Sequence, residues 1–393
     1  MLNRRNLFGV AAASGLTSAA SGRKAFAKTT PYDLEPRGVV GRMERLPRLD
    51  LESQEDFLTG FRIWVNKDLR RAANMRARKI LQVKGVDFDA DLETHKVLEL
   101  IGDDPIVASS ARLWLSAQQI MWQNLQTEFH ANADQYLTEM EATDDRGPGS
   151  LELNPDMELP EYTKWEIHMQ PGGYVGDPFA GHIYHYGTNN FWEGRNYQDE
   201  IHGKLAASVP LPPADGKVKR ILDLGCSVGQ MTVKLKERFP EAEVWGLDVG
   251  GPMVRYAHMR AVDLDIDVNF VQRLAEDTKF PDGHFDMVTS FLLFHEVNSE
   301  GAKDIIKEAY RVLRPGGVFY PMDQRMKKLL PKQTAYSKFQ GWWIWRWNHE
   351  VWRMDHQSND YPEEMRKIGF QVDVDTPREY GGRRAAMIGI KPA

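Results

Sequence analysis

The sequence predicts an α/β protein whose central sheet is mostly parallel. The prediction rests on residues 218–250, where a short apolar strand, a glycine-containing turn, a helix and a second strand follow one another. Gly225, Ser227 and Gly229 are small residues that allow the backbone to turn sharply and a ligand to approach it. The second strand ends at an acid, Asp248. This order of elements is typical of the nucleoside-binding half of a Rossmann-like sheet.

The acid at the end of the second strand indicates which ligand the turn binds. A carboxylate there can accept hydrogen bonds from both ribose hydroxyls, and Asp248 follows Gly229 at close to the roughly 20-residue spacing of that role. Dinucleotide-binding turns instead have the spacing G-x-G-x-x-G, which brings a helix N-terminus to a pyrophosphate. Asp223, just before the first glycine, would repel a pyrophosphate but suits a cationic amino group. S-adenosylmethionine is therefore favoured, and a nicotinamide-dependent oxidoreductase is the weaker alternative.

The turn and the acid together resemble the first motif and the following acidic position of class I S-adenosylmethionine-dependent methyltransferases. The similarity is greatest to the small-molecule branch that includes the ubiquinone/menaquinone C-methyltransferases. It covers about residues 216–322, with a weaker continuation to residue 392, and it departs from the common pattern at Ser227, where a glycine is frequent. The resemblance implies methyl transfer from S-adenosylmethionine to an oxygen, nitrogen or carbon atom of a small molecule.

The resemblance also implies a set of cofactor-binding residues. Asp223 and Gly225 are expected at the methionine end, Asp248 at the ribose and Asp277 at the adenine. The full predicted set is Asp223, Gly225, Cys226, Ser227, Gly229, Asp248, Val249, Glu276, Asp277 and Phe294.

The loop after the fourth predicted strand carries the candidate catalytic residues. Ligands of open α/β sheets bind outside the carboxyl ends of the strands, so this loop is expected to face the methyl-donating sulfonium. His295 and Glu296 are candidates for a general base or a substrate contact, and Phe294 for a cover over the cofactor; bracing of the loop is the alternative. A base is needed only if the acceptor loses a proton, because a direct displacement depends on holding donor and acceptor in line.

Two aromatic segments flank this core. The first contains Tyr184 and Tyr186, which are candidates for a lid that contacts the substrate. The second, between residues 342 and 352, holds five of the eleven tryptophans. Trp342 and Trp343 could there form a wall that stacks an aromatic substrate or encloses a cationic one; packing against the N-terminal helices is the alternative. No metal site is predicted, because His182 and His185, beside Tyr184, lack a clear third ligand.

The N-terminal region is expected to be helical. Ser53 and Asp56 form a capping box that starts one helix, and Asp104 followed by Pro105 starts a longer one. The longer helix carries an apolar seam that packs either within the chain or between two chains as a homodimer. The seam consists of Leu113, Ala117, Met121, Leu125, Phe129, Ala133 and Leu137.

Composition limits the remaining function classes. The net charge of −6 does not indicate a nucleic-acid partner. The single cysteine, Cys226, excludes an internal disulfide, and no apolar stretch has the length of an ordinary transmembrane helix.

The N-terminus resembles a twin-arginine-type export signal. Arg4 and Arg5 precede a mildly apolar stretch, and Ala25 and Ala27 occupy the positions that a signal peptidase recognises. Export to the periplasm is therefore expected, with a cytoplasmic protein as the alternative. Because S-adenosylmethionine is made in the cytoplasm, export also favours a third alternative, a non-catalytic protein that binds this cofactor.

The predicted organisation places an all-helical domain and an aromatic-rich cap before a Rossmann-like class I methyltransferase sheet. The predicted units are a signal peptide (1–27), an extended arm (28–52), a helical domain (53–145), a lid segment rich in aromatic residues and histidine (146–203) and a cofactor-binding domain (204–393) with an aromatic insertion (323–360).

Overall fold

The computed structural model describes residues 39–40, 42–324, 333–373, 379–380 and 384–393. The predicted signal peptide and part of the predicted arm therefore lie outside the described residues. Among the residues described, no helix combines the length and the apolar character that crossing a bilayer requires.

Strands and helices alternate between residues 220 and 272 and again between residues 285 and 324, whereas residues 49–143 are mostly helical. The helices are α1 (Leu49–Trp64), α2 (Arg70–Val83), α3 (Thr94–Val97), α4 (Pro105–Ala131), α5 (Ala133–Thr143), α6 (Ala180–Phe191), α7 (Glu200–Ser208), α8 (Gln230–Arg238), α9 (Gly251–Leu264), α10 (Ser299–Val312), α11 (Ala335–Trp347), α12 (Arg353–Ser358) and α13 (Tyr361–Ile368). Short π-helical turns, Val65–Leu69 and Leu98–Gly102, follow α1 and α3, and 3₁₀ turns lie at Glu161–Lys164 and Ile167–Met169. The strands are β1 (Val39–Val40), β2 (Met43–Glu44), β3 (Ser150–Glu152), β4 (Arg220–Leu224), β5 (Glu243–Asp248), β6 (Asn269–Gln272), β7 (Phe285–Phe291), β8 (Leu313–Gln324), β9 (Gln371–Asp373), β10 (Glu379–Tyr380), β11 (Arg384–Ala386) and β12 (Ile388–Ile390).

Five parallel strands form the centre of the main sheet, in the spatial order β6-β5-β4-β7-β8. The chain proceeds from β4 through β5 to β6 on one side and then returns to the other side of β4 with β7. The crevice at the carboxyl ends of β4 and β7 is therefore the topological switch point, where open α/β sheets bind their ligands. β3 extends the sheet in parallel beside β6, whereas β11 and β12 pair antiparallel with β8. The predicted α/β class and Rossmann-like sheet are confirmed.

Both faces of the central sheet are covered, which explains why β4 has apolar residues that point to both sides. Leu222 and Leu224 point into a core that α10 and α13 complete. Ile221, directly before Leu222, points to the opposite face and packs with α7, α8 and α9. All three side chains are buried, so the strand is held from both sides and the turn that follows it has a defined position.

The first helix begins one turn earlier than the capping box predicts. α1 starts at Leu49, directly after the extended residue Arg48, and Ser53 lies inside the helix. The reason is packing: Leu51 is buried in the helical core, and burial of an apolar side chain can extend a helix beyond its local cap signal. The second predicted start is confirmed, because the carboxylate of Asp104 accepts hydrogen bonds from the first backbone N–H groups of α4.

The apolar seam of α4 packs within the chain. Ala117, Met121, Leu125 and Phe129 are buried against side chains of α1 and α6. Leu113, at the N-terminal end of the seam, is 37% exposed. Of the two arrangements that the sequence leaves open, the structure shows the one inside the monomer.

The close approach of α4 and α6 leads to a stability prediction. A Cβ added at Gly187 would lie 2.0 Å from the Trp122 ring, so Gly187→Ala must separate the two helices and is expected to lower the free energy of unfolding by about 3 kcal/mol. Gly60→Ala is the matched control, since nothing lies within 4 Å of the added atom in α1 and alanine favours a helix by about 0.5–1 kcal/mol. Urea unfolding followed by circular dichroism checks both; similar stabilities of the two variants would contradict the packing.

Candidate functional site

A cavity of about 450 Å³ opens at the carboxyl ends of the central strands, between the sheet and the N-terminal helices. Its sheet side is lined by residues that end or follow three strands: Ser227 after β4, Asp248 and Val249 at the end of β5, and Leu292 and Leu293 after β7. The cavity therefore occupies the switch point of the fold.

The glycine turn after β4 has the backbone conformation that its small residues suggest. Gly225, Ser227 and Gly229 have φ angles of 64°, 53° and 72°. These angles lie in the left-handed region, which residues with a Cβ rarely adopt. A Cβ at Gly229 would lie 2.7 Å from the Phe270 ring. Ser227 is therefore the strained member of the turn, and its buried Oγ has no hydrogen-bond partner among the described residues. Ser227 itself lines the cavity.

Asp248 is held in place by the same turn. One of its carboxylate oxygens accepts a hydrogen bond from the backbone N–H of Gly250 at 2.8 Å, and the other from that of Ser227 at 2.9 Å. Burial raises the pKa of Asp248, although these N–H donors oppose the rise. Each oxygen keeps further acceptor capacity, so a vicinal diol in the cavity can donate to this carboxylate.

Asp223 lies outside the cavity lining, which corrects the prediction that it reaches the methionine end of a ligand. Its carboxylate is 2% exposed and accepts hydrogen bonds from the hydroxyls of Thr232 at 2.7 Å and Thr289 at 3.1 Å. Burial raises its pKa to about 7; the two hydroxyls oppose the rise and the charge of Asp248 adds to it. Asp223 joins β4 to α8 and β7, and so supports the turn from behind.

The raised pKa of Asp223 predicts a pH dependence of stability. The carboxyl group of Asp223 has a pKa of about 3.9 in the unfolded chain, so the folded state binds its proton more tightly. The bound proton therefore stabilises the folded state at low pH. This stabilisation is lost as the pH rises from about 4 to about 7. Asp223→Asn removes this titration. Relative to the wild type, the variant should gain about 4 kcal/mol in the free energy of unfolding between pH 4 and pH 8. Urea unfolding across this range measures the difference, and a constant difference would contradict a raised pKa.

Two acids and the cysteine also lie outside the cavity lining. Asp277, predicted at the adenine, is half-exposed and forms an ion pair with Lys279. Glu276 accepts a hydrogen bond from the hydroxyl of Tyr162 at 2.6 Å, and it is Tyr162 that lines the cavity. Cys226 is buried in the sheet core. Of the two acids in the turn after β6, Glu276 therefore reaches the cavity only through Tyr162.

Phe294 does not cover the cavity, in contrast to the prediction. It is 1% exposed and packs against the rings of Phe319 and Tyr361 in the core. The backbone turns at Leu292, whose φ is 59°. This turn presents Leu292 and Leu293 to the cavity and sends Phe294 to the opposite side.

Of the four predicted substrate-contacting aromatic residues, Tyr184 lines the cavity. Tyr186 faces the other side of α6, with its ring 5.7 Å from that of Phe129. Trp343 is buried in a cluster that includes side chains of α2 and α4, and Trp342 packs against the same cluster. The alternative given for the tryptophan-rich segment, packing against the N-terminal helices, therefore describes these two residues.

Other aromatic residues, which the sequence analysis did not name as substrate contacts, complete the cavity wall. They are Trp114, Tyr162, Trp165, Tyr174, Phe191, Trp192 and Phe291. Phe191 and Trp192 belong to the same aromatic segment as Tyr184, whereas the others come from separate parts of the chain.

A polar cluster forms one part of the cavity wall. His295 and Glu296 follow β7, as predicted, and His168 joins them from the 3₁₀ turn before α6. The Nε2 atoms of His168 and His295 lie 3.0 Å and 3.3 Å from the same Glu296 oxygen. The Nδ1 atom of His295 lies 2.7 Å from a carboxylate oxygen of Asp323, near the end of β8. His168 is the member that no sequence signal identified.

The charges within this cluster shift its pKa values strongly. Burial disfavours an imidazolium at His295, but the carboxylates of Asp323 and Glu296 outweigh it, so the pKa of His295 lies well above its ordinary value. Burial likewise opposes the charge on His168, and Glu296 and Glu350 outweigh it, which raises the pKa of His168. Burial would raise the pKa of Glu296, but the two histidines lower it to about 2. Such shifts are typical of functional sites.

Comparison with known proteins links the switch-point segment to methyl transfer. Residues 221–317 match the sequence family described as "Methyltransferase domain". A demethylmenaquinone methyltransferase of Thermus thermophilus is 42% identical over 99 residues, which are 25% of this chain and 44% of that protein. A ubiquinone/menaquinone biosynthesis C-methyltransferase of Pseudomonas savastanoi is 36% identical over 124 residues, 30% of this chain and 48% of that protein. The chain thus spans about half the length of these curated relatives.

Solved structures give weaker likenesses. An O-methyltransferase family protein from Burkholderia thailandensis has 16% identity and a TM-score of 0.41, over 53% of this chain and 60% of that chain. Human N-acetylserotonin methyltransferase, in complex with S-adenosylmethionine, has 13% identity and a TM-score of 0.40, over 55% of this chain and 57% of that chain. The fold assignment rests instead on the strand order of the sheet and on the family match. Residues 221–317, which match the methyltransferase domain family, extend from β4 to the first residues of β8 and so include the switch point of the sheet.

Proposed function

We propose that the protein binds S-adenosylmethionine in the switch-point cavity and methylates a small molecule at an oxygen, nitrogen or carbon atom. The observation that carries the proposal is the position of Asp248: a carboxylate that ends β5, lines the cavity and keeps acceptor capacity beyond its two backbone partners. A ribose offers a matching pair of hydroxyl donors. Ser227, in the same turn, also lines the cavity, and its buried Oγ has unused capacity for a hydrogen bond.

The residues around the cavity suit this reaction. When bound, S-adenosylmethionine supplies an electrophilic methyl group on a positively charged sulfur. The aromatic wall gives the cavity an apolar lining against which a cation can pack. His168, His295 and Glu296 form a polar region where the reacting group of the acceptor can bind. Rigid positioning of the two molecules by these walls is the main contribution that a direct displacement requires.

A labelled-transfer assay tests the proposal. The purified protein is incubated with methyl-labelled S-adenosylmethionine and the small-molecule fraction of a cell extract, and the products are separated. Quinone precursors are added first as single compounds, because two relatives are named for quinone biosynthesis and the aromatic cavity suits a planar ring. Label in a new small molecule, with an equal amount of S-adenosylhomocysteine, supports the proposal. Bound S-adenosylhomocysteine without transfer would favour a non-catalytic binding protein.

We further propose that residues 1–27 are a twin-arginine-type signal and that the mature protein is periplasmic. The support is the sequence: the arginine pair at Arg4 and Arg5, the apolar stretch after it and the Ala25-Phe26-Ala27 site. Mass spectrometry of the N-terminus in the separated compartments tests this. A mature chain that begins at Lys28 in the periplasm is expected, and an intact N-terminus in the cytoplasm would contradict it.

A further inference from the structure

His168, His295 and Glu296 bring three metal-ligating atoms to one point of the cavity wall. The two Nε2 atoms lie 3.0 Å and 3.3 Å from one oxygen of Glu296, and each of the three residues offers one ligand atom within 4.8 Å of those of the other two. Two ligand atoms that each lie about 2.1 Å from a metal ion are about 3.0 Å apart at octahedral angles and about 3.4 Å apart at tetrahedral angles. The contacts to Glu296 therefore have the spacing of ligands around one ion.

The second ring nitrogens of both histidines contact side chains that orient the rings. Nδ1 of His295 lies 2.7 Å from the Asp323 carboxylate, which fixes that ring with Nε2 directed at the cluster. Nδ1 of His168 lies 3.2 Å from the amide nitrogen of Asn348 and 3.7 Å from a carboxylate oxygen of Glu350. A carboxylate behind a ligating histidine is a common outer-shell arrangement of protein metal sites.

One buried acceptor without a partner points to a ligand, and the charge of the cluster is compatible with a cation. With both imidazoles neutral, the carboxylates of Glu296, Asp323 and Glu350 exceed the single guanidinium of Arg353, which pairs with Glu350 at 2.6 Å, by two negative charges. The buried second oxygen of Glu296, Oε2, has no hydrogen-bond partner among the described residues. A divalent cation would balance the charge and could also bind this oxygen. Protons on both imidazoles give the same balance and are the competing explanation.

We propose that His168, His295 and Glu296 bind one divalent first-row transition-metal ion, with the remaining coordination positions open to the cavity. Two histidines and one carboxylate form a ligand set that proteins use for Fe²⁺ and Zn²⁺, and catalytic sites of this kind leave positions open to substrate. All three residues line the cavity. As an extension that rests on the proposed function, the ion would hold an acceptor through an oxygen, which favours acceptors with a phenolic or enolic hydroxyl.

Zinc titration of the full chain, stripped with a chelator, tests the site. Calorimetry and elemental analysis should show one equivalent of Zn²⁺ bound to the wild type, with an affinity that falls at least about 100-fold in His168→Ala, His295→Ala and Glu296→Gln. Asp323→Asn should weaken binding by about 10–100-fold through the orientation of His295. The matched control is His349→Asn, which removes a neighbouring histidine that is exposed. His349 has a positive φ, and asparagine tolerates this conformation. The zinc affinity of this variant should equal that of the wild type.

Two measurements on the wild-type protein test the metal site independently of the variants. The absorption bands of Co²⁺ bound to the wild type should report nitrogen and oxygen ligands, and anomalous scattering at the zinc edge should locate the ion between the three residues. Absence of stoichiometric binding, or binding that survives in all three ligand variants, would overturn the site and leave the proton-linked cluster. Titration of the same samples with S-adenosylhomocysteine separates the two proposals. If the protein binds S-adenosylhomocysteine but does not bind zinc, only the metal site is overturned. If it binds zinc but does not bind S-adenosylhomocysteine, only the proposed function is overturned.

Discussion

Asp248→Ala is expected to weaken the binding of S-adenosylhomocysteine by at least about 100-fold. The variant removes the acceptor for two hydroxyl donors, and hydrogen bonds to a charged group contribute about 1.5–3 kcal/mol each. It also leaves the backbone N–H groups of Ser227 and Gly250 without their acceptor, so the glycine turn loses its support. Calorimetric titration measures the affinity, and circular dichroism confirms that the variant is folded.

Asp277→Ala is the matched control for this prediction. It removes a carboxylate from the turn after the neighbouring strand β6, but this carboxylate is half-exposed and pairs with Lys279 outside the cavity lining. Its affinity for S-adenosylhomocysteine should therefore match the wild type within about twofold. Equal losses in both variants, or an unchanged affinity in Asp248→Ala, would show that the cofactor does not bind at the end of β5.

His295→Ala is expected to lower the rate of methyl transfer by about 10²–10⁴-fold, the range that a positioned acid–base group contributes. The same loss is expected if the residue acts through a bound metal ion. S-adenosylhomocysteine affinity should change by less than about threefold, because His295 lies after β7 and the predicted ribose site lies at the end of β5. The rate is measured on the acceptor that the labelled-transfer assay identifies.

Tyr186→Phe is the matched control for the rate. It removes one hydroxyl from the residue that faces Phe129 on the far side of α6, whereas Tyr184 on the same helix lines the cavity. The rate of Tyr186→Phe should equal that of the wild type. A full rate in His295→Ala, or a loss of cofactor affinity as large as the loss of rate, would remove His295 from the reaction.

Local pattern predicted the parts of the site that lie within one β-α-β unit. The strand, turn, helix and strand around Gly225 and Asp248 are contiguous in sequence, and their residue types determine both the turn and the position of the acid. Asp223 shows the limit of this reasoning. The sequence shows that Asp223 precedes the first glycine, but it does not show where the side chain points. That direction depends on the hydroxyls of Thr232 and Thr289, which only the packed sheet brings together.

The remaining parts of the site depend on tertiary packing. Phe294 and Leu293 are adjacent apolar residues, and the backbone turn at Leu292 decides which of them reaches the cavity. The aromatic residues of the two flanking segments divide between cavity and core according to the helices against which they pack. His168 lies far from Glu296 in sequence, and its 3₁₀ turn is held by hydrogen bonds from α4 to its backbone carbonyl. No periodicity or motif marks such a residue.

A crystal structure of the protein with S-adenosylhomocysteine tests the central claim most directly. Both ribose hydroxyls should lie within hydrogen-bond distance of the Asp248 carboxylate, and the sulfur should face the part of the cavity that His168, His295 and Glu296 line. Density for the nucleoside elsewhere on the protein, or an empty cavity at a saturating ligand concentration, would contradict the claim.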